Sequence, residues 1–200
     1  MRKILATISL LLLSTVPINK LVNIDNPLPT DYSPGENTEA RESVENFISN
    51  LQENTVDEII VTSGYRSYNS QKTIHAYWCS NFPFSCEKFS AQAGTSEHQL
   101  GTTFDLSRSG YYMWDTRNKS LWEMVEVRAH LYGFVISYPY KECPEDGWPK
   151  NNAYEAFCGT DFKYEPWHLR YVGTDLATKI FEAGYLDPNS KVLPKDFFVR

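Results

Sequence analysis

Two segments far apart in the chain, Ser96-Glu97-His98-Gln99-Leu100-Gly101-Thr102-Thr103-Phe104-Asp105 and Glu165-Pro166-Trp167-His168, constrain the fold more than any other feature. They carry two imidazoles and a carboxylate, at His98, Asp105 and His168, which a fold that joins the segments presents to a single ion. Two nitrogen donors and one oxygen donor suit zinc, and three protein ligands leave its fourth tetrahedral position to water, the arrangement of a catalytic site and not of a structural one. Glu165 stands three residues before His168, where a general base for that water is useful. Neither segment is specific alone, since a His-to-Asp spacing of seven is common and an isolated Glu-x-x-His is weak. A third segment, Ser63-Gly64-Tyr65-Arg66-Ser67, lies upstream of both. Arg66 is its sharpest residue, because a guanidinium holds a terminal carboxylate with two hydrogen bonds or stabilises an oxyanion near a metal.

The periodicity around these segments predicts where they lie. Glu39 to Leu51 reads as a helix, with Ala40, Val44, Phe47, Ile48 and Leu51 on one stripe and Thr38 as its N-cap. Glu58 to Thr62 is short and β-branched, a strand that delivers Ser63–Ser67 to its end. Asn69 to Trp78 reads as helix, and Thr102 to Leu106 as a strand with Thr103 and Asp105 on one face and Phe104 in the core. Ser120 to Tyr132 is an amphipathic helix stopped by Gly133, and Phe134 to Tyr138 is a strand. Trp167 to Val172 is a strand with His168 and Arg170 on one face and Trp167, Leu169 and Tyr171 on the other. A straight strand would separate residues 165 and 168, so Pro166 is expected to bend the chain. Thr174 caps a last helix that ends at Gly184. With too few helices between strands for a parallel sheet, the expected class is α+β: a small antiparallel sheet carrying the zinc site, packed with several helices.

Composition narrows the setting. With 200 residues, 42% of them hydrophobic, the chain is long enough for one domain with a sizeable core. A net charge of −6 and the lack of a lysine- or arginine-rich run exclude nucleic acid as the expected partner. Met1-Arg2-Lys3 followed by the apolar run Ile4 to Val16 has the length of a secretory h-region. Four cysteines, Cys79, Cys86, Cys143 and Cys158, agree with export and favour disulfides, expected as Cys79–Cys86 and Cys143–Cys158 because each pair brackets one loop-like segment. His75 and His130 match no motif and read as structural, as does Arg170, expected in an ion pair.

In combination the three motifs resemble those of the zinc D-alanyl-D-alanine carboxypeptidases of the vancomycin-resistance type, a family that includes L,D-carboxypeptidases of peptidoglycan. That family reads Ser-Gly-Tyr-Arg-Ser, Ser-x-His-x-x-Gly-x-x-x-Asp and Glu-x-Trp-His, matched here at Ser63–Ser67, Ser96–Asp105 and Glu165–His168. The stretch Trp78 to Ala91, with its two cysteines, departs from the pattern. The resemblance implies a hedgehog-like, D-Ala-D-Ala-peptidase-like fold and one zinc ion on His98, Asp105 and His168. It implies Glu165 and Arg66 as catalytic residues, and Arg66, Gln71 and Ser96 as contacts to the substrate. The domains expected are 1–20 as signal peptide or membrane tether, 21–37 as linker and 38–200 as the zinc carboxypeptidase domain. The expected activity is hydrolysis, by metal-activated water, of the C-terminal D-amino acid from a peptidoglycan stem peptide, in the cell envelope. L,D-carboxypeptidase, D,D-dipeptidase and endopeptidase activities on the same fold are the alternatives, with a non-catalytic zinc-containing wall-binding domain beyond them. A serine-type carboxypeptidase is disfavoured, since the Ser85-to-Lys88 Ser-x-x-Lys has no Ser-Asp-Asn or Lys-Thr-Gly beside it.

Overall fold

The structure is a computed structural model that describes residues 16–142 and 160–200. The apolar run from Ile4, apart from Val16, and the expected Cys143–Cys158 pair lie outside the described residues.

Helix α1 spans Thr38–Gln52 and begins one residue earlier than expected, because the Asn37 side chain, not Thr38, accepts the hydrogen bond from the Ala40 amide. Strand β1 is Ile59–Ser63, and α2 is Tyr68–Asn81, capped by Ser67. Strand β2 is Thr103–Arg108, followed by α3 at Lys119–Arg128. The helix predicted from Ser120 to Tyr132 tightens to a 3-10 turn over Ala129–Tyr132 before Gly133 ends it at a φ of 76°. Strands β3, Phe134–Ile136, and β4, His168–Tyr171, precede α4, Thr174–Glu182, which starts from Gly173 and not from a threonine cap.

The four strands form one antiparallel sheet in the order β1-β2-β4-β3. Period-two alternation sorts its side chains, as the sequence predicts. Phe104 and Leu106 of β2 and Leu169 and Tyr171 of β4 join the stripes of α1, α3 and α4 in one core. Phe104, Phe134 and Phe47 are fully buried there, each contributing about 1.5–3 kcal/mol of hydrophobic stabilisation. The opposite face of β2 and β4 carries Asp105, His168 and Arg170. In the register, Asp105 stands opposite His168 on one side and Ser63 on the other, so three strands set one row across the sheet.

Residues 21–37 hold neither helix nor strand, yet they are seated on the body. Val22 and Leu28 are buried with Leu100, the Leu28 amide donates to Gly94 O, and Lys20 pairs with Val199. The apolar side chains among the Pro, Asn and Asp residues supply this burial. Asn37 donates its amide to Gly101 O, which ties the start of α1 to the turn carrying His98. Gly101 sits at a φ of 77°, and a Cβ there would run into the Gly35 carbonyl oxygen. Gly101→Ala is therefore expected to cost at least about 2 kcal/mol, from left-handed strain and this clash. That lowers the melting temperature by about 4–8 °C in a chain of this size, as thermal unfolding followed by circular dichroism would register. An unchanged melting temperature would mean that the turn has another backbone geometry.

Candidate metal centre

Each motif residue reaches the site by a separate local device. Asp105 projects from the polar face of β2, and His168 from the first position of β4. His98 comes from the 3-10 turn Glu97–Leu100, which Gly101 terminates in the left-handed region. Glu165 is brought beside His168 by a turn around Pro166 and Trp167, closed by the His168 amide donating to Glu165 O at 3.0 Å. The Glu165 carboxylate then lies 3.8 Å from His168 Nδ1, the bend that Pro166 was expected to supply. Arg66 lies on the loop between β1 and α2, and its amide donates to His98 O.

The donors converge. His98 Nε2 is 3.2 Å from Asp105 Oδ2, His168 Nδ1 is 3.2 Å from Asp105 Oδ1, and all three ligand atoms lie within 4.8 Å of one another. Backbone and carboxylate partners hold the far nitrogen of each ring. His98 Nδ1 is 2.8 Å from Gly64 O, so it carries the proton and leaves the Nε2 lone pair facing Asp105. His168 Nε2 is 3.0 Å from Glu97 Oε2, which leaves Nδ1 for the cluster. This is the outer-shell arrangement that orients imidazole ligands in metal sites. Asp105 Oδ2 accepts from Arg66 Nη2, whereas the buried Oδ1 has no hydrogen-bond partner in the described structure. A buried carboxylate with one oxygen unpartnered, set between two oriented ring nitrogens, fits a divalent cation. The second group of metal-binding side chains among the described residues, His75, Cys79 and Cys86, is occupied by the Cys79–Cys86 disulfide, as expected. His130 lies elsewhere, stacked on Phe181 at 3.7 Å.

Charge in the cluster follows burial and partners. Burial opposes ionisation of Asp105, but His98 and His168 hold it well below the usual carboxylate range. Burial likewise opposes charge on His168, yet Asp105 and Glu97 push its pKa up to about 10, so a cation at Nδ1 would have to displace the proton held there. Burial lowers that of His98. The Glu165 carboxyl is pushed up to about 7, chiefly by burial, with His168 pulling the other way. A carboxylate poised there can both accept and return a proton near neutral pH.

Glu97 is the functional residue that motif spacing leaves as filler between Ser96 and His98. It is buried, receives hydrogen bonds from Ser137 Oγ at 2.6 Å and Arg170 Nη1 at 2.7 Å, and faces His168. Burial alone would raise its pKa, but Arg170 and His168 hold it down to about 2. The expected ion pair of Arg170 is thus with Glu97, and the only signal for it in the sequence was an arginine sharing the His168 face. Gln71 is fully buried and does not line the cleft. Its Oε1 accepts from Arg66 Nη1, so it positions Arg66 where substrate contact had been expected. Ser96 does line the cleft, as do Arg66, Glu165 and Trp167, the last packed edge-to-face on Trp122 at 6.4 Å. The cleft encloses about 620 Å³.

The VanY family profile, described as D-alanyl-D-alanine carboxypeptidase, matches residues 35–174, a span that holds every one of these side chains. The chain belongs to that family. A D-alanyl-D-alanine carboxypeptidase of Enterococcus faecalis is 28% identical over 82% of this chain and 62% of its own length. The chain spans between 31% and 62% of the length of the curated relatives it matches. The crystal structure of DacB from Streptococcus pneumoniae D39 superposes with a TM-score of 0.64 at 30% identity, covering 82% of this chain and 80% of that one. Another crystal structure describes DacB as an L,D-carboxypeptidase. The D,D-pentapeptidase VanY of the VanB-type resistance cassette, solved as a mutant in complex with Zn(II), superposes with a TM-score of 0.62 at 27% identity, over 82% of this chain and 93% of that one. The α+β architecture is therefore that of the zinc peptidases of this family.

Proposed function

We propose that this chain is a zinc-dependent carboxypeptidase that removes the C-terminal D-residue from peptidoglycan stem peptides of the D-alanyl-D-alanine type. The observation that carries this reading is the convergence of His98 Nε2, His168 Nδ1 and an Asp105 oxygen within 4.8 Å, with Glu165 beside them. Those three residues would hold the ion. Zinc, when bound, supplies a Lewis acid for a peptide carbonyl and lowers the pKa of water from 15.7 to about 7. Glu165 takes a proton from the attacking water and returns it to the departing amine. Arg66, held by Ser63, Gln71 and Asp105, offers its remaining N–H groups to the substrate's terminal carboxylate. Glu97 keeps the His168 ring in place through these events.

The names of the enterococcal relative and the zinc-bound structure support this reading. A second reading, cleavage after an L-residue, is favoured by the likeness to DacB. The cell envelope is the proposed location, supported by the basic start, the apolar run to Val16 and the Cys79–Cys86 disulfide, a bond that persists in oxidising compartments. Among the described residues no helix is long and apolar enough to cross a membrane.

Digestion of defined tetrapeptide and pentapeptide muropeptides, read by mass spectrometry, tests the proposal. Loss of one terminal residue is expected, abolished by a chelator, restored by zinc and indifferent to β-lactams. Release that survives chelation would refute it, whereas release of a dipeptide or opening of a cross-link would reassign the cut.

A further inference from the structure

Beyond Arg66, one wall of the cleft is apolar. Ile74 and Trp78 of α2 form it with Phe82 and Phe89, which follow the helix. Trp78 stacks on Phe82 at 5.6 Å and on Phe89 at 5.5 Å, and the two phenylalanines stand 5.2 Å apart. The Cys79–Cys86 disulfide ties the end of α2 to the turn that returns Phe89 to the helix. Phe82 and Phe89 nevertheless remain 45% and 37% exposed, and exposed apolar surface of this kind marks a binding site. The wall is continuous with the carboxylate end of the cleft. Gln71 lies one turn before Ile74 on α2, accepts from Arg66, and donates to Ser90 Oγ and Ala91 O, the residues that follow Phe89. One scaffold thus carries both the guanidinium and the aromatic wall.

We propose that this wall receives the side chain of the substrate's C-terminal residue, and that a bulky apolar D-residue such as D-leucine is released at least as readily as D-alanine. The inference rests on the carboxypeptidase reading above. Of the five N–H groups of Arg66, three are taken by Ser63, Gln71 and Asp105, which leaves two for a carboxylate. A residue held there by its carboxylate carries its side chain beside the scaffold that bears Trp78 and Phe89. A methyl group covers little of that surface, while each further methylene buried against it is worth about fourfold in binding. The stretch Trp78 to Ala91 is also where the chain departs from its family's motif pattern, so this selectivity belongs to that stretch and not to the shared metal site.

The test uses the zinc-loaded chain and peptides that differ only in ending with D-alanine or D-leucine, each offered after an L-lysyl and after a D-alanyl residue. The ratio of kcat/KM for D-leucine over D-alanine is expected to be one or more. Ile74→Trp, which fills the wall, is expected to lower that ratio by about tenfold or more, and Trp78→Ala to lower it in the same direction. A parent ratio below one, or variants that slow both peptides equally, would overturn the inference while leaving the carboxypeptidase reading intact. Failure to release either residue from either series would defeat that reading, and the inference with it.

Discussion

Glu165→Gln is expected to bind zinc like the parent chain and to lose turnover by about 10²- to 10⁴-fold. The substitution preserves the size and burial of the side chain, and Glu165 stands outside the His98, Asp105 and His168 ligand set, so the metal keeps its donors. What disappears is the proton acceptor. Its position is set by the turn through Pro166 and Trp167, 3.8 Å from His168 Nδ1, and its pKa is raised to about 7 by burial. An amide in the same place can neither take that proton nor return it to the leaving amine. The check is a pair of measurements on one preparation: metal content by elemental analysis and kcat on a stem peptide. Near-parental kcat at full zinc occupancy would remove Glu165 from the base role.

The second large effect falls on Glu97. Glu97→Ala leaves the Arg170 guanidinium, fully buried, without its carboxylate, and breaking a buried pair in this way costs about 3–5 kcal/mol. It also removes the partner of His168 Nε2, a change that typically weakens metal binding by about 10- to 100-fold. Urea unfolding of the metal-free chain reads the first effect and zinc titration the second. Adding Arg170→Met to Glu97→Ala should recover much of the lost stability, because no charge is then stranded. It should not recover the zinc affinity, which depends on the His168 partner. A single variant within about 1 kcal/mol of the parent would show that water already solvates Arg170.

These two residues mark the reach of sequence reasoning. The place of Glu165 was legible because an acid three residues before His168, with Pro166 between them, is set beside that ring by a local turn. Glu97 was not, since an acid beside a histidine on a short turn is indistinguishable from a solvated surface residue until β4 is laid against β2. The fold was legible for a similar reason. Stripes such as Ala40, Val44, Phe47 and Leu51, and the alternation in β2 and β4, are properties of neighbouring residues. The N-cap shifted from Thr38 to Asn37 because both side chains can cap, and the tie from the Asn37 amide to Gly101 O decided between them. Gln71, expected at the substrate, turns inward, because Arg66, Ser90 and Ala91 together satisfy its amide. The seat of residues 21–37 against the body, and the aromatic wall after Trp78, likewise depend on partners distant in the chain.

The order of amino acids by itself determined which donors exist, their spacing along each segment, and which face of its strand each one takes. Only the tertiary structure decided that Asp105 and His168 meet in register, which nitrogen of each imidazole is left to a metal, and that Glu97 and Arg170 are buried together beneath them. Spacing and facing follow from local backbone periods of 3.6 and 2 residues, which any short stretch displays. Register, tautomer and burial follow from hydrogen bonds and desolvation between segments that become neighbours only when the sheet closes.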